Sequence, residues 1–173
     1  MPDTMHNIGD RPSYRAIKAL LNQFCTAKSQ ESREVKEHAI ILALKAAPIS
    51  VRSKVAEELT RFRVCPVLVA RWLACDADAH VASVVLAKCS GLHERTLVEM
   101  ALCKGQVHLE AIATRRGLSE QVSRVLVRRG NDAVLEALAR NRSASITAHC
   151  RQRMLNRLSR PGAGPPRTAY SLW

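Results

Sequence analysis

Ala87-Lys88-Cys89-Ser90-Gly91-Leu92-His93-Glu94 and Ala113-Thr114-Arg115-Arg116-Gly117-Leu118-Ser119-Glu120 carry alanine, glycine, leucine and glutamate at the same places, 26 residues apart. A further step of 26 reaches Ala139-Arg140-Asn141-Arg142-Ser143-Ala144-Ser145-Ile146, which keeps the alanine and sets a small residue at the glycine position. An offset of 28 pairs Cys75 with Cys103 and His80 with His108. A repeat of about 26–28 residues has room for a short helix, a sharp turn and a second short helix. Gly91 and Gly117 are predicted to close helices in the left-handed conformation, with Leu92 and Leu118 packing back on the helix just ended. Ser119 is predicted to cap the next helix, with Glu120 set against its dipole. Gly130 is expected to close that helix and Asn131-Asp132 to open another. Helices of about ten residues are unstable alone, so neighbours must stack and share a core. The fold class expected is all-α, a right-handed α-solenoid of short helix pairs.

Upstream, Ile17, Leu20, Leu21 and Phe24 lie at helical spacing behind Ser13, a predicted N-cap. The polar stretch Ser29-Gln30-Glu31-Ser32 is expected to break the chain before a helix through Ala39–Leu44 that stops short of Pro48. A third helix is predicted from about Ser50 to Phe62. A fourth is predicted from Pro66, with Trp72 in its apolar face. Val81–Leu86 has strand propensity, but its place between turn signals favours helix. Residues 1–12 and 161–173 are expected to be flexible tails, the second with Pro161-Gly162-Ala163-Gly164-Pro165-Pro166 and the aromatics Tyr170 and Trp173. Residues 13–160 are expected to form a single helical-repeat domain.

The composition agrees with such a domain. Of 173 residues, 47% are hydrophobic and 3% aromatic, with 27 basic against 15 acidic side chains. That excludes a collagen, a disulfide miniprotein and a disordered chain, and it disfavours an aromatic base-stacking platform. No apolar run of about 18 residues is present, and Met1–Asp10 lacks the features of a signal peptide, so a cytoplasmic protein with no membrane insertion is expected. The six cysteines form no Cys-x-x-Cys pair and are expected to be small buried hydrophobes.

Leu118–Thr147, with Leu118, Ser119, Glu120, Arg129, Gly130, Asp132, Leu138 and Asn141, resembles a bacterial domain family of unknown function built from HEAT-like repeats. The resemblance spans about residues 50–160 and is clearest over 105–150. It implies a HEAT-like α-solenoid. The resembling residues are caps, turns and core, so it transfers no catalytic role.

The remaining candidates for chemistry are few. Cys75/His80, Cys89/His93 and Cys103/His108 are spaced by four or five residues, but no short-spaced zinc pattern occurs, and repeat-equivalent residues recur because repeats recur. No metal, no other cofactor and no catalytic residue is therefore assigned, and no enzyme is expected. Charge is more informative. Residues 111–173 hold 12 basic and 3 acidic side chains, and every one of the bases is arginine. Arg124 and Arg128 share a predicted helix face, as do Arg153 and Arg157. In Ala148–Leu158, Met154, Leu155 and Leu158 oppose the arginines and are expected to cover the last repeat. Arginine binds carboxylate and phosphate in a bidentate manner. Arg124, Arg128, Arg151, Arg153 and Arg157 are the candidate binding residues. The expected function is a non-enzymatic interaction or scaffold module for an acidic protein or peptide. Nucleic-acid binding through phosphates is the alternative.

Overall fold

The side chain of Ser13 accepts a hydrogen bond from the Ala16 N–H, and α1 (Tyr14–Thr26) starts there. The computed structural model describes residues 12–159, so the expected tails, apart from Pro12, lie outside the described residues, and Tyr170 and Trp173 with them. Ser29 caps α2 (Gln30–Ala46) in the same way through the Ser32 N–H. The stretch expected to be a break is thus a cap and a first turn. A serine followed by good helix formers starts a helix as readily as it stops one.

α3 (Ile49–Leu59) and α4 (Val67–Ala74) follow Pro48 and Pro66, neither of which supplies a side-chain cap. For α4 the cap comes from another helix. The buried Glu37 carboxylate of α2 accepts the Leu68 N–H at 2.8 Å. Burial pushes the Glu37 pKa up, against the pull of the Leu68 and Val69 N–H groups. Asp78 caps α5 (Ala79–Lys88), which contains Val81–Leu86 and settles that stretch as helix. α6 (Glu94–Cys103) and α7 (Gln106–Ala113) follow. Ser119 caps α8 (Glu120–Arg129), Asn131 caps α9 (Asp132–Arg140) and Thr147 caps α10 (Ala148–Leu158). Among the described residues there is no strand, and no helix is long and apolar enough to cross a membrane.

The helices pack in two rows. In one, α1 touches α3, α3 touches α5, α5 touches α7 and α7 touches α9. In the other, α2 packs on α4, α6 on α8 and α8 on α10. Consecutive helices such as α1 and α2, α4 and α5, or α8 and α9 join the rows. Ile17, Ile40, Leu73, Leu86, Ile112 and Leu138 are fully buried between them. Trp72 is half-buried against this core, and so is Leu158, while Met154 is buried within it.

The glycines divide. Only Gly117, among the described residues, has a positive φ, at 68°. Gly91, its sequence equivalent, does not; there a Cβ would stand 2.6 Å from Cys65 Cβ, so close approach is what requires glycine. Gly130 does close α8, but in an extended conformation with φ −65°. The cysteines also depart from expectation: Cys25, Cys75 and Cys103 are exposed, Cys65 is half-buried, and only Cys89 and Cys150 are buried. Cys25 and Cys103 sit in apolar helical segments, but on the outer face of the turn that holds them.

Candidate interaction surface

Helix C-termini end in carbonyls with no intrahelical partner and a partial negative charge. Here a later side chain meets most of them. Arg33 donates to the Ala27 carbonyl after α1, and Arg52 to the Ala47 carbonyl after α2. From there on the donors reach back 25–30 residues. Lys104 Nζ lies 3.4 Å from the Cys75 carbonyl at the end of α4. Arg115 donates to the Leu86 and Cys89 carbonyls at the end of α5, at 3.1 and 2.5 Å. Arg129 donates to the Ala101 and Lys104 carbonyls at the end of α6, at 2.6 and 3.5 Å. Asn141 Nδ2 serves Ala113 and Arg115 after α7, at 2.7 and 2.6 Å. Arg157 donates to the Val127 carbonyl of α8 at 3.3 Å and lies 3.6 Å from Asp132.

These bonds sort the arginines. Arg115, Arg129 and Arg157 are turned into the scaffold. Of the five residues expected to bind a partner, Arg157 is therefore half-buried and engaged with α8 and α9. Arg124 and Arg128 are exposed on one face of α8, opposite the buried Val122 and Leu126. Arg151 and Arg153 are exposed on α10, but two positions apart on a helix they face different ways.

The structure brings a different set together. Arg116, Arg140 and Arg142, with Thr114, Asn141 and Ser143, line an open groove of about 440 Å³ beyond the ends of α7 and α9. Arg116 and Arg142 are exposed, and they occupy equivalent places 26 residues apart in sequence. Their loops are tied together: the Gly117 N–H donates to Ser143 Oγ at 3.1 Å, and the Ser145 N–H to the Leu118 carbonyl at 2.8 Å. Ser143 in turn is held by Asn141 Oδ1, at 3.1 Å from its N–H and 2.8 Å from its hydroxyl. Arg140 pairs with Glu136 at 2.8 Å. The result is a groove lined by Arg116 and Arg142 on tied loops and by Arg140 at the end of α9, whose charge is shared with Glu136; a carboxylate or another oxyanion suits such a lining. The 26-residue offset is the sequence signal for Arg116 and Arg142; grouping arginines by helix face passes over it.

The sulfur and imidazole groups are dispersed. Cys75 is exposed with its Sγ 3.6 Å from Met100 Sδ, while His80 and His93 are exposed. Among the described residues no three or more His, Cys, Asp or Glu side chains gather where they could hold a metal ion. His108 is half-buried, and neither of its ring nitrogens has a hydrogen-bond partner among the described residues.

No curated protein and no solved structure matches the chain. Among protein families, residues 81–163, from within α5 past the end of α10 and including the arginine groove, match the one described as "Uncharacterised protein conserved in bacteria (DUF2336)".

Proposed function

We propose that this chain is a HEAT-like α-solenoid acting as a non-enzymatic interaction module, and that it takes an acidic protein or peptide in the arginine groove beyond α7 and α9. The two rows of helices and the bonds that recur every 25–30 residues support the repeat-array reading. The observation that carries the binding reading is the convergence of Arg116, Arg140 and Arg142 on one open groove. The exposed Arg124 and Arg128 on α8, with Arg151 and Arg153 on α10, add positive charge that steers an acidic partner by long-range attraction. The setting is cytoplasmic. Phosphate-backbone binding to nucleic acid is the other outcome of the test.

The test is fluorescence anisotropy of a labelled oligoglutamate peptide and of a labelled DNA duplex, each titrated at about 50 and about 200 mM salt. The proposal expects the peptide to bind, more weakly at the higher salt, and the duplex to bind no better. A duplex that binds more tightly and loses about 10³–10⁵ in affinity between the two salts would move the chain to nucleic-acid binding. No peptide binding at the lower salt would remove the acidic-partner reading.

A further inference from the structure

Cys65 precedes α4, and Cys89 is the C-cap of α5, 24 residues later. Their sulfurs lie 2.8 Å apart, less than an ångström longer than the roughly 2.05 Å of a disulfide bond. Three neighbours make this approach possible. Gly91 leaves the space: a Cβ there would meet Cys65 Cβ at 2.6 Å and Cys65 Sγ at 2.7 Å. Pro66 is buried next to Cys65 and fixes the chain where it enters α4. Arg115 holds the Cys89 and Leu86 carbonyls, which brings a positive charge beside the Cys89 thiol.

We propose that Cys65 and Cys89 are a redox dithiol that closes reversibly to a disulfide on meeting a low-molecular-weight disulfide of the glutathione class. Cys65 is half-buried and Cys89 is buried, so exposure sets the order of events. The Cys65 sulfur attacks the external disulfide; a mixed disulfide forms on Cys65 and one thiol leaves, carrying the proton that Cys65 gives up. Cys89, as thiolate, then attacks Cys65 Sγ and expels the second thiol, which takes the Cys89 proton. The protein loses two electrons and two protons, and one external disulfide becomes two thiols. In the reduced pair the hydrogen bond from Cys65, aided by the Gly91 N–H and the Arg115 charge against the cost of burial, lowers the Cys89 pKa to about 7; once Cys65 carries the mixed disulfide that bond is gone, and the Gly91 N–H and the Arg115 charge are what favour the Cys89 thiolate. The same contact and burial push the Cys65 pKa up. The bond would tie the entry of α4 to the exit of α5. This inference is independent of the partner bound in the arginine groove.

The full chain, reduced and then equilibrated with glutathione buffers of increasing oxidising strength, tests it by mass spectrometry of its peptides under non-reducing conditions. The expected result is a Cys65–Cys89 cross-linked peptide, lighter by two hydrogens than its reduced parts. It should form at a more reducing poise than any adduct on the exposed Cys25, Cys75 or Cys103, and dithiothreitol should reverse it. Cys89→Ser should stop with glutathione on Cys65, and Cys65→Ser should leave Cys89 unmodified. The unsubstituted chain alone separates the two outcomes. Cys65 and Cys89 remaining as thiols while Cys25, Cys75 and Cys103 carry glutathione would overturn the proposal, as would pairing of either with a different cysteine.

Discussion

Arg115 donates to the main-chain carbonyl of Cys89, the residue that occupies its own place 26 positions earlier, and Asn141, 26 positions later, does the same for the carbonyl of Arg115. Equivalent positions in successive units thus hold one another, side chain to backbone. The donors answer the orphan carbonyls of helix ends, where positive charge and N–H groups are favoured. In the other row Lys104, Arg129 and Arg157 act alike on α4, α6 and α8. Part of the strong positive charge of this chain is a fastening between units.

Arg129→Ala should therefore destabilise the fold although it empties no apolar core. It removes the bonds to the Ala101 and Lys104 carbonyls, and hydrogen bonds made by a charged donor contribute about 1.5–3 kcal/mol. Urea unfolding should show a loss in that range, with Arg129→Lys recovering only part, because an ammonium lacks the fork geometry of the guanidinium. An unchanged midpoint in Arg129→Ala would show that the fastening is incidental.

The Arg52–Asp76 pair should be the costliest polar contact to break. Arg52 meets both carboxylate oxygens, at 2.7 and 3.1 Å, and the two side chains are 17% and 2% exposed. Asp76 also accepts the Asp78 N–H at 2.9 Å just before α5. Asp76→Ala leaves a shielded guanidinium without its counter-ion, a change that costs about 3–5 kcal/mol. Arg52→Met with Asp76→Leu should be less damaging than Asp76→Ala alone, as thermal melts of the two variants would show.

Gly117 and Gly91 separate two reasons for glycine. At Gly117 a Cβ meets nothing within 4 Å, so Gly117→Ala carries only the left-handed backbone cost of about 1–2 kcal/mol. Gly117→Asn should cost less, since asparagine tolerates that conformation. Equal melting temperatures for Gly117→Ala and the natural chain would contradict the φ of 68°.

His108 should make stability fall in mild acid. Burial lowers its pKa, and the Lys104 charge adds to the effect. Its folded pKa then lies below the unfolded value of about 6.5, so between the two the unfolded chain binds more protons. Stability from this group is complete above about pH 6.5 and declines as pH falls toward the folded pKa. His108→Leu should flatten that decline and remove two nitrogens that find no hydrogen-bond partner among the described residues. Urea midpoints at about pH 5.5 and about pH 8 check it. Parallel pH slopes in the two proteins would show that other groups cause the loss.

Local signals are the legible ones. Ser13, Ser119 and Asn131 act on the N–H group three residues ahead, so their caps can be read in place. α10 runs over Ala148–Leu158, the span whose apolar and basic residues alternate at helical spacing. Gly91 resembles a left-handed helix end in sequence because its real constraint is Cys65, which lies far away along the chain. Arg157 falls among surface arginines because periodicity gives a helix face but not the carbonyl of a preceding unit that the side chain reaches. Arg116 and Arg142 are within reach of the repeat alignment; what no offset contains is that Arg140 lines the same groove.

The division between fastening and binding arginines is most directly tested by one comparison: the melting temperature and the oligoglutamate affinity of Arg116→Ala/Arg142→Ala beside those of Arg129→Ala. Arg116 and Arg142 are exposed, so their removal should change stability by no more than about 0.5 kcal/mol. It should weaken peptide binding about tenfold or more, a loss of roughly 1.4 kcal/mol. Arg129→Ala should do the reverse, lowering the melting temperature and keeping the affinity. A groove double variant that binds oligoglutamate as tightly as the natural chain would contradict the account.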